Sequence, residues 1–97
     1  MTHGYIYCIS NSSMPSIYKI GMTKRTPYIR LYESNIHNTW KPPTKYTIEF
    51  AKKVLYPKQK ETTIHKLFSK ERISKKYEFF KICITKVKTC FDLIDGE

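Results

Sequence analysis

The first third of the chain consists of short apolar runs separated by turn-forming residues. Residues 5–10 and 17–22 are both rich in β-branched and aromatic side chains, and a polar segment with a proline separates them. We therefore predict a β-hairpin. Thr26 and Pro27 then supply an N-cap and a first-turn proline, and apolar residues recur at helical spacing as far as Ile36. This pattern predicts a helix over 27–36.

The remaining two thirds predict one more long strand and two more helices. Residues 46–55 resume strand character after a proline-containing loop, and Pro57 opens a helical pattern that runs to about Lys70 with Ile64 and Phe68 on one face. Residues 71–76 are a basic connection, 77–82 a short strand-like run, and a final helix carries Val87 and Phe91 on its apolar side. The predicted fold class is α/β in the broad sense (α+β): a small antiparallel sheet of about three strands flanked by helices.

The length and composition indicate one domain over residues 1–97. A chain of 97 residues with 40% hydrophobic content supplies enough apolar surface for one core and not for two. No run approaches the roughly 20 apolar residues of a membrane span, and the first residues lack the pattern of a secretory leader. We expect an intracellular protein, in the cytoplasm or nucleus of a host cell, with no membrane partner; its oligomeric state does not follow from the sequence.

Charge points to a polyanionic partner. Eighteen lysine and arginine residues against eight acidic ones give a formal net charge of +10, which suits nucleic acid. The lysines occur in loops and helices alike instead of forming a stripe on one amphipathic helix, so an anionic membrane surface is the weaker interpretation. The three cysteines, Cys8, Cys83 and Cys90, form no C-x-x-C pair, so we predict reduced and mostly buried thiols.

Several short motifs occur in a characteristic order. Residues 5–7 read YIY, residues 18–23 read YKIGMT, and Arg30 follows in the predicted first helix. Residues 61–65 form an E-x-x-x-H helix motif, and residues 78–80 read EFF. Together they resemble the GIY-YIG nuclease superfamily, in particular its small stand-alone branch from phages and large DNA viruses. The resemblance covers nearly the whole chain.

The resemblance implies an endonuclease that hydrolyses phosphodiester bonds in DNA, including branched or structured DNA, with Mg²⁺ or Mn²⁺. Tyr7 is then expected to help activate the attacking water, Arg30 to bind the scissile phosphate, and Glu61 to hold the metal. An arginine fork matches phosphate oxygens, and a carboxylate suits a hard divalent cation. Lys24 and Arg25, between the YKIGMT run and the first helix, are expected to bind nucleic acid together with Arg30.

The chain departs from the family pattern at the second triplet. Lys19 stands where the family usually has its second tyrosine, and Tyr18 lies one residue earlier. Strand alternation points Tyr18 and Ile20 to one face of the sheet and Lys19 to the other. We therefore predict that Lys19 lines the site, where it neutralises developing charge or deprotonates water. Tyr18 is retained as a secondary candidate.

Some assignments stay open at this point. Glu78 competes with Glu61 as the metal ligand, and His65 either orients water or phosphate or is structural. Gly21 permits either an unusual backbone angle or a close approach of another group. Two other functions are also considered: a non-catalytic basic nucleic-acid-binding module with the same fold, and an enzyme that acts on RNA or on small phosphodiesters.

Overall fold

A computed structural model describes residues 3–27, 46–74, 78–94 and 96 of the chain. Its strands are β1 (His3–Ser10), β2 (Ile17–Thr23), β3 (Thr47–Leu55), β4 (Arg72–Ser74) and β5 (Phe79–Lys81). Its helices are α1 (Pro57–Leu67) and α2 (Ile84–Leu93), with a 3₁₀ turn at Ser69–Glu71. The helix predicted over 27–36 lies outside the described residues apart from Pro27, and so does Arg30.

The described strands form one antiparallel sheet in the order β3-β1-β2-β5-β4. This arrangement confirms the α+β class and the hairpin, but the sheet has five strands instead of about three. The strand-like run predicted over 77–82 contains β5, whereas β4 was not predicted, and each of these strands has three residues. Segments this short show no period of their own, and β4 lies in the basic segment that was predicted to be a connection. Pairing with neighbouring strands makes them part of the sheet.

The two faces of the sheet carry separate apolar clusters. Cross-strand pairing of Cys8 with Ile20 puts both on one face, where they pack with residues of both helices. We call this cluster the helix-side core; its buried members include Ile6, Cys8, Ile20, Ile64, Phe68, Phe80, Val87 and Phe91. Tyr7 pairs with Gly21 and points to the other face. There Tyr7, Ile9 and Tyr46 are buried together as the opposite-face core.

Helix α1 buries one narrow row of side chains. Pro57, Glu61 and Ile64 are buried within it, and Phe68 follows in the same row just beyond its end. The helix is shorter than predicted, because it ends at Leu67 and the chain continues as the 3₁₀ turn Ser69–Glu71. Leu67 is 64% exposed because it lies beside this row. A glutamate on the buried side of a helix is uncommon and marks this surface for closer attention.

Helix α2 is held by a lysine from the sheet. The Lys52 ammonium donates to the Phe91 carbonyl at 2.8 Å and also to the Ile94 carbonyl, so it caps the C-terminal end of the helix. Cys83, the residue before α2, is exposed, Cys90 is half-buried and Cys8 is buried, and all three are free thiols. The prediction of mostly buried thiols is wrong for Cys83, because the chain enters α2 at the surface. Neither described helix is long and apolar enough to cross a membrane.

Candidate functional site

Three side chains with metal-binding atoms meet beside helix α1. Glu61 and His65 lie one helical turn apart on α1, and Glu78 immediately precedes β5. Their ligand atoms all lie within 4.8 Å of one another. Glu61 and His65 are neighbours because they are four residues apart on a helix. Glu78 joins them because the chain passes through β4 and β5 back to the same surface. We call Glu61, His65 and Glu78 the acidic-histidine cluster.

Glu61 is the most deeply placed member of the cluster. Its side chain is 7% exposed, and its Oε1 atom accepts a hydrogen bond of 3.1 Å from the Lys58 ammonium, whose side chain is 77% exposed. The ammonium supplies a countercharge to a carboxylate that is largely removed from water. The hydrogen bond to Glu61, followed by the negative charges of Glu61 and Glu78, raises the pKa of Lys58 above its ordinary value.

The ring of His65 is fixed by two neighbours. Its Nε2 atom lies 2.8 Å from the carbonyl oxygen of Ile20 and 3.7 Å from Oε2 of Glu78. A carbonyl oxygen only accepts hydrogen bonds, so this contact assigns a proton to Nε2. The ring also lies at 5.1 Å from that of Phe80, between centroids. The hydrogen bond to β2 therefore fixes the orientation of the His65 ring.

Glu78 reaches the cluster through a left-handed backbone conformation. Its φ of 62° is unusual for a residue with a side chain and costs on the order of 1–2 kcal/mol. In this conformation its carbonyl accepts a hydrogen bond of 3.3 Å from the Ile20 N–H. Both backbone polar groups of Ile20 thus bind cluster residues. Strained backbone of this kind is typical of functional sites and supports a role for Glu78 beyond packing.

The cluster begins where strand pairing stops. Strand β5 pairs with β2 at Ile17, Tyr18 and Lys19, and the next residue, Ile20, bonds to Glu78 and His65 instead. The cluster therefore lies against the edge of β2, between the backbone positions of Lys19 and Gly21.

An open cleft surrounds the cluster and is lined by basic residues. Its volume is about 850 Å³, and its wall includes the three cluster residues together with Lys58, Lys66 and Arg72. The Arg72 guanidinium also stacks over Phe80, with its carbon 5.5 Å from the ring centroid. Carboxylates at the centre and cations around them would suit a cation bound together with a phosphate group.

The structure divides the residues that were predicted from sequence. Glu61 and His65 lie in the cluster, while Tyr7, which is 2% exposed, and Lys19 belong to the opposite face. Tyr18 packs against the helix-side core with Ile20, so the alternation predicted for Tyr18 and Lys19 is confirmed. Burial raises the pKa of Tyr18, with a smaller contribution from Glu49. Whether Lys19 acts in the site stays a prediction.

The predicted nucleic-acid contacts lie at the end of the hairpin. Lys24 and Arg25 are exposed directly after β2, and the Arg25 N–H donates to the Thr23 hydroxyl oxygen at 3.1 Å. This turn holds both side chains at the surface, and their role in binding stays a prediction. The position of Arg30 falls outside the described residues.

Sequence reasoning did not single out the three basic residues of the cleft, Lys58, Lys66 and Arg72. Lys58 lies three residues before Glu61 on α1, and this spacing on a helix is a signal that would have indicated the pair. Arg72 was assigned to a basic connection, and only its place in β4 beside Phe80 brings it to the cleft. No sequence signal for that contact is evident.

Comparison with protein families matches residues 4–95 to the T5orf172 domain, which is associated with nuclease-like proteins. The match extends from β1 to the end of α2 and includes every residue of the acidic-histidine cluster. No curated protein and no solved structure matches the chain.

Proposed function

The chain belongs to the T5orf172 domain family, and from that membership we propose that it is a metal-dependent endonuclease that hydrolyses phosphodiester bonds in DNA. A nuclease-like role agrees with the formal net charge of +10. The observation that carries the proposal is the acidic-histidine cluster, in a cleft whose wall also holds Lys58, Lys66 and Arg72. Further support comes from the GIY-YIG-like motifs, in which Glu61 takes the place of the metal ligand.

The cluster fits a divalent cation by its donor chemistry. The two carboxylates suit Mg²⁺ or Mn²⁺, and an imidazole suits Mn²⁺; because Nε2 of His65 carries the proton that bonds to the Ile20 carbonyl, only its Nδ1 atom could bind the ion. Two atoms bound to one ion at about 2.1 Å lie at most about 4.2 Å apart, so donors within 4.8 Å need only small side-chain rotations to share it. When bound, the cation would stabilise negative charge on the phosphate and lower the pKa of an attacking water.

The remaining work falls to the chain's own residues. Glu61 would hold the cation, with Glu78 as a second carboxylate, and Arg72 and Lys66 would hold the DNA backbone on the wall of the cleft. Arg30 would grip the scissile phosphate through its fork, as the resemblance implies. These cations act by position and charge, which is the larger part of catalysis in phosphate chemistry.

Proton transfer would involve Lys19 and Tyr7. Lys19 is the residue before Ile20, whose backbone bonds to both His65 and Glu78. Its side chain points to the opposite face of the sheet, so a role for Lys19 rests on the resemblance and on this nearness of its backbone to the cluster. Tyr7 lies beside Gly21 on the same face as Lys19, so the two would act together from that side.

A second candidate function has one observation in its favour. Tyr7 is 2% exposed and faces away from the sheet surface that α1 covers. Such a buried tyrosine can serve to pack the core, and it then has no catalytic role. A basic domain of the same fold that binds nucleic acid without cutting it would account for this burial.

One experiment separates the two functions. Supercoiled plasmid and a branched DNA are incubated with the full chain in Mg²⁺, in Mn²⁺ and in EDTA, and a structured RNA is included as a third substrate. The endonuclease proposal requires cuts in DNA that depend on the metal. Binding without cleavage under all conditions establishes the non-catalytic module. Cleavage of RNA alone shows that the substrate is RNA instead of DNA.

A further inference from the structure

A lysine ammonium occupies the mouth of the acidic-histidine cluster. Lys58 Nζ lies 3.1 Å from Glu61 Oε1, where the carboxylate is 7% exposed and the lysine side chain 77% exposed. The pair therefore combines a fixed, shielded anion with a cation on a flexible stem that extends through water. Such a cation neutralises the site and leaves it easily.

A divalent metal would need the place that this ammonium holds. An ion bound at about 2.1 Å to Oε1 of Glu61, the oxygen that the Lys58 ammonium contacts at 3.1 Å, would lie at most about 5 Å from that ammonium. Two cations this close lie well within a Debye length, so they repel each other at the shared oxygen, although water around the exposed Lys58 reduces the repulsion. Lys58 has an exposed stem and can return to solvent without disturbing α1.

We propose that the Lys58 ammonium is an internal competitor of the divalent cation: it occupies the cation position beside Glu61 in the metal-free protein and must leave when metal binds. The inference rests on the proposed function, since it takes Glu61 as the metal ligand. Lys58 keeps the buried carboxylate paired without metal and lowers the affinity of the site for metal. Removal of Lys58 therefore strengthens metal binding instead of weakening it.

The test measures metal binding without nucleic acid. Mn²⁺ is titrated into the full-length chain, and free Mn²⁺ is followed by its electron paramagnetic resonance signal. We expect Lys58→Gln to bind Mn²⁺ at least about threefold more tightly than the wild type. Lys66→Gln is the matched control, because it removes the same charge from the wall of the same cleft. An unchanged or weaker affinity in Lys58→Gln, or an equal gain in the control, overturns the inference.

Thermal unfolding gives a second readout. In EDTA, Lys58→Gln is expected to unfold at a lower temperature than the wild type, because Glu61 loses its countercharge. Saturating Mn²⁺ is then expected to raise the melting temperature of the variant by more than that of the wild type. An equal rise in both proteins speaks against competition.

A Glu61→Gln variant distinguishes failure of this inference from failure of the proposed function. If Mn²⁺ binding is lost in Glu61→Gln but does not change in Lys58→Gln, the metal site stands and only the competitor role of Lys58 falls. If Glu61→Gln binds Mn²⁺ as the wild type does, Glu61 is not the ligand. The proposed metal assignment and the role of Lys58 then both fall.

Discussion

The phenol ring of Tyr7 lies across Gly21 so closely that a methyl group on Gly21 would stand 2.6 Å from the Tyr7 hydroxyl oxygen and 2.8 Å from its Cζ atom. The two residues are partners across β1 and β2. The described glycines all have ordinary backbone angles. Gly21 is therefore needed for close approach of the tyrosine and not for a special φ, which decides between the two roles that its sequence position allowed.

Gly21→Ala should destabilise the fold by about 1–3 kcal/mol, because the new methyl group overlaps the ring of Tyr7. Urea unfolding followed by circular dichroism measures the change. In a Tyr7→Leu background the ring is absent, so the same substitution should cost less than half as much. Equal costs in both backgrounds would show that the contact does not limit position 21.

Much of the fold is predictable because its longer elements carry their own periodicity. The hairpin, the strand β3 and the helices α1 and α2 all follow from alternation or helical spacing. The short strand β5 was predicted only as a strand-like run, and β4 was not predicted, since Arg72 and Phe80 become partners only when the chain folds back on itself. Three residues cannot display a period that would announce this pairing.

The candidate site was predictable to the extent that it lies on one helix. Glu61 and His65 are one turn apart, and this spacing puts them side by side in any helical structure. The approach of Glu78 depends on its left-handed backbone and on the path of the preceding strands. Ionic pairing of Lys58 with Glu61 is local, and their spacing of three residues on a helix was the sequence signal for it.

Glu61→Gln is expected to abolish cleavage and Mn²⁺ binding while DNA affinity is retained, because the amide keeps the shape of the side chain but lacks its negative charge. Cleavage of plasmid and binding of labelled DNA are measured separately. Glu71→Gln is the matched control, since that carboxylate pairs with Lys86 at 2.9 Å and does not belong to the cluster. Unchanged cleavage in Glu61→Gln would transfer the ligand role to Glu78.

Glu78→Gly should stabilise the fold by roughly 1 kcal/mol and at the same time reduce cleavage. Glycine adopts the left-handed conformation of residue 78 without strain, whereas the cluster loses one carboxylate. Ser16→Gly is the control, because Ser16 has a φ of 65° in the hairpin turn and lies outside the cluster. It should gain similar stability with unchanged cleavage. If Glu78→Gly cuts DNA as well as the wild type, the Glu78 carboxylate is not needed for cleavage and its strained backbone has no role in function.

Cys83 should react with iodoacetamide before the other two cysteines. It is exposed, and hydrogen-bonding groups of Thr85 and Lys86 at the start of α2 lower its pKa below the ordinary value of 9.0. Burial raises the pKa of Cys8 far above that value. Mass spectrometry of the native protein should show one fast alkylation, with a rate midpoint below pH 9.0, which Cys83→Ser removes. Fast labelling of Cys8 would contradict the placement of β1.

The residue at which the chain departs from its apparent relatives provides the last test. Tyr18 packs with Ile20 against the helix-side core, and burial raises its pKa above the ordinary value of 10.0. A phenol that loses its proton only at high pH is a poor base near neutrality. Lys19 belongs to the face of Tyr7 and Gly21, adjacent to the strand edge that His65 and Glu78 contact.

Tyr18→Phe, which removes only a hydroxyl group, should therefore leave cleavage largely intact, whereas Lys19→Met should reduce it by at least tenfold. Tenfold corresponds to about 1.4 kcal/mol of transition-state stabilisation, a modest contribution for a cation beside a phosphate. Circular dichroism of both variants must match the wild type, because an unfolded domain would mimic a catalytic defect. If Tyr18→Phe is inactive and Lys19→Met is not, the hydroxyl of Tyr18 takes part in the reaction in spite of its place on the helix side. The alternation of side chains along β2 would then not predict which residue takes part in catalysis.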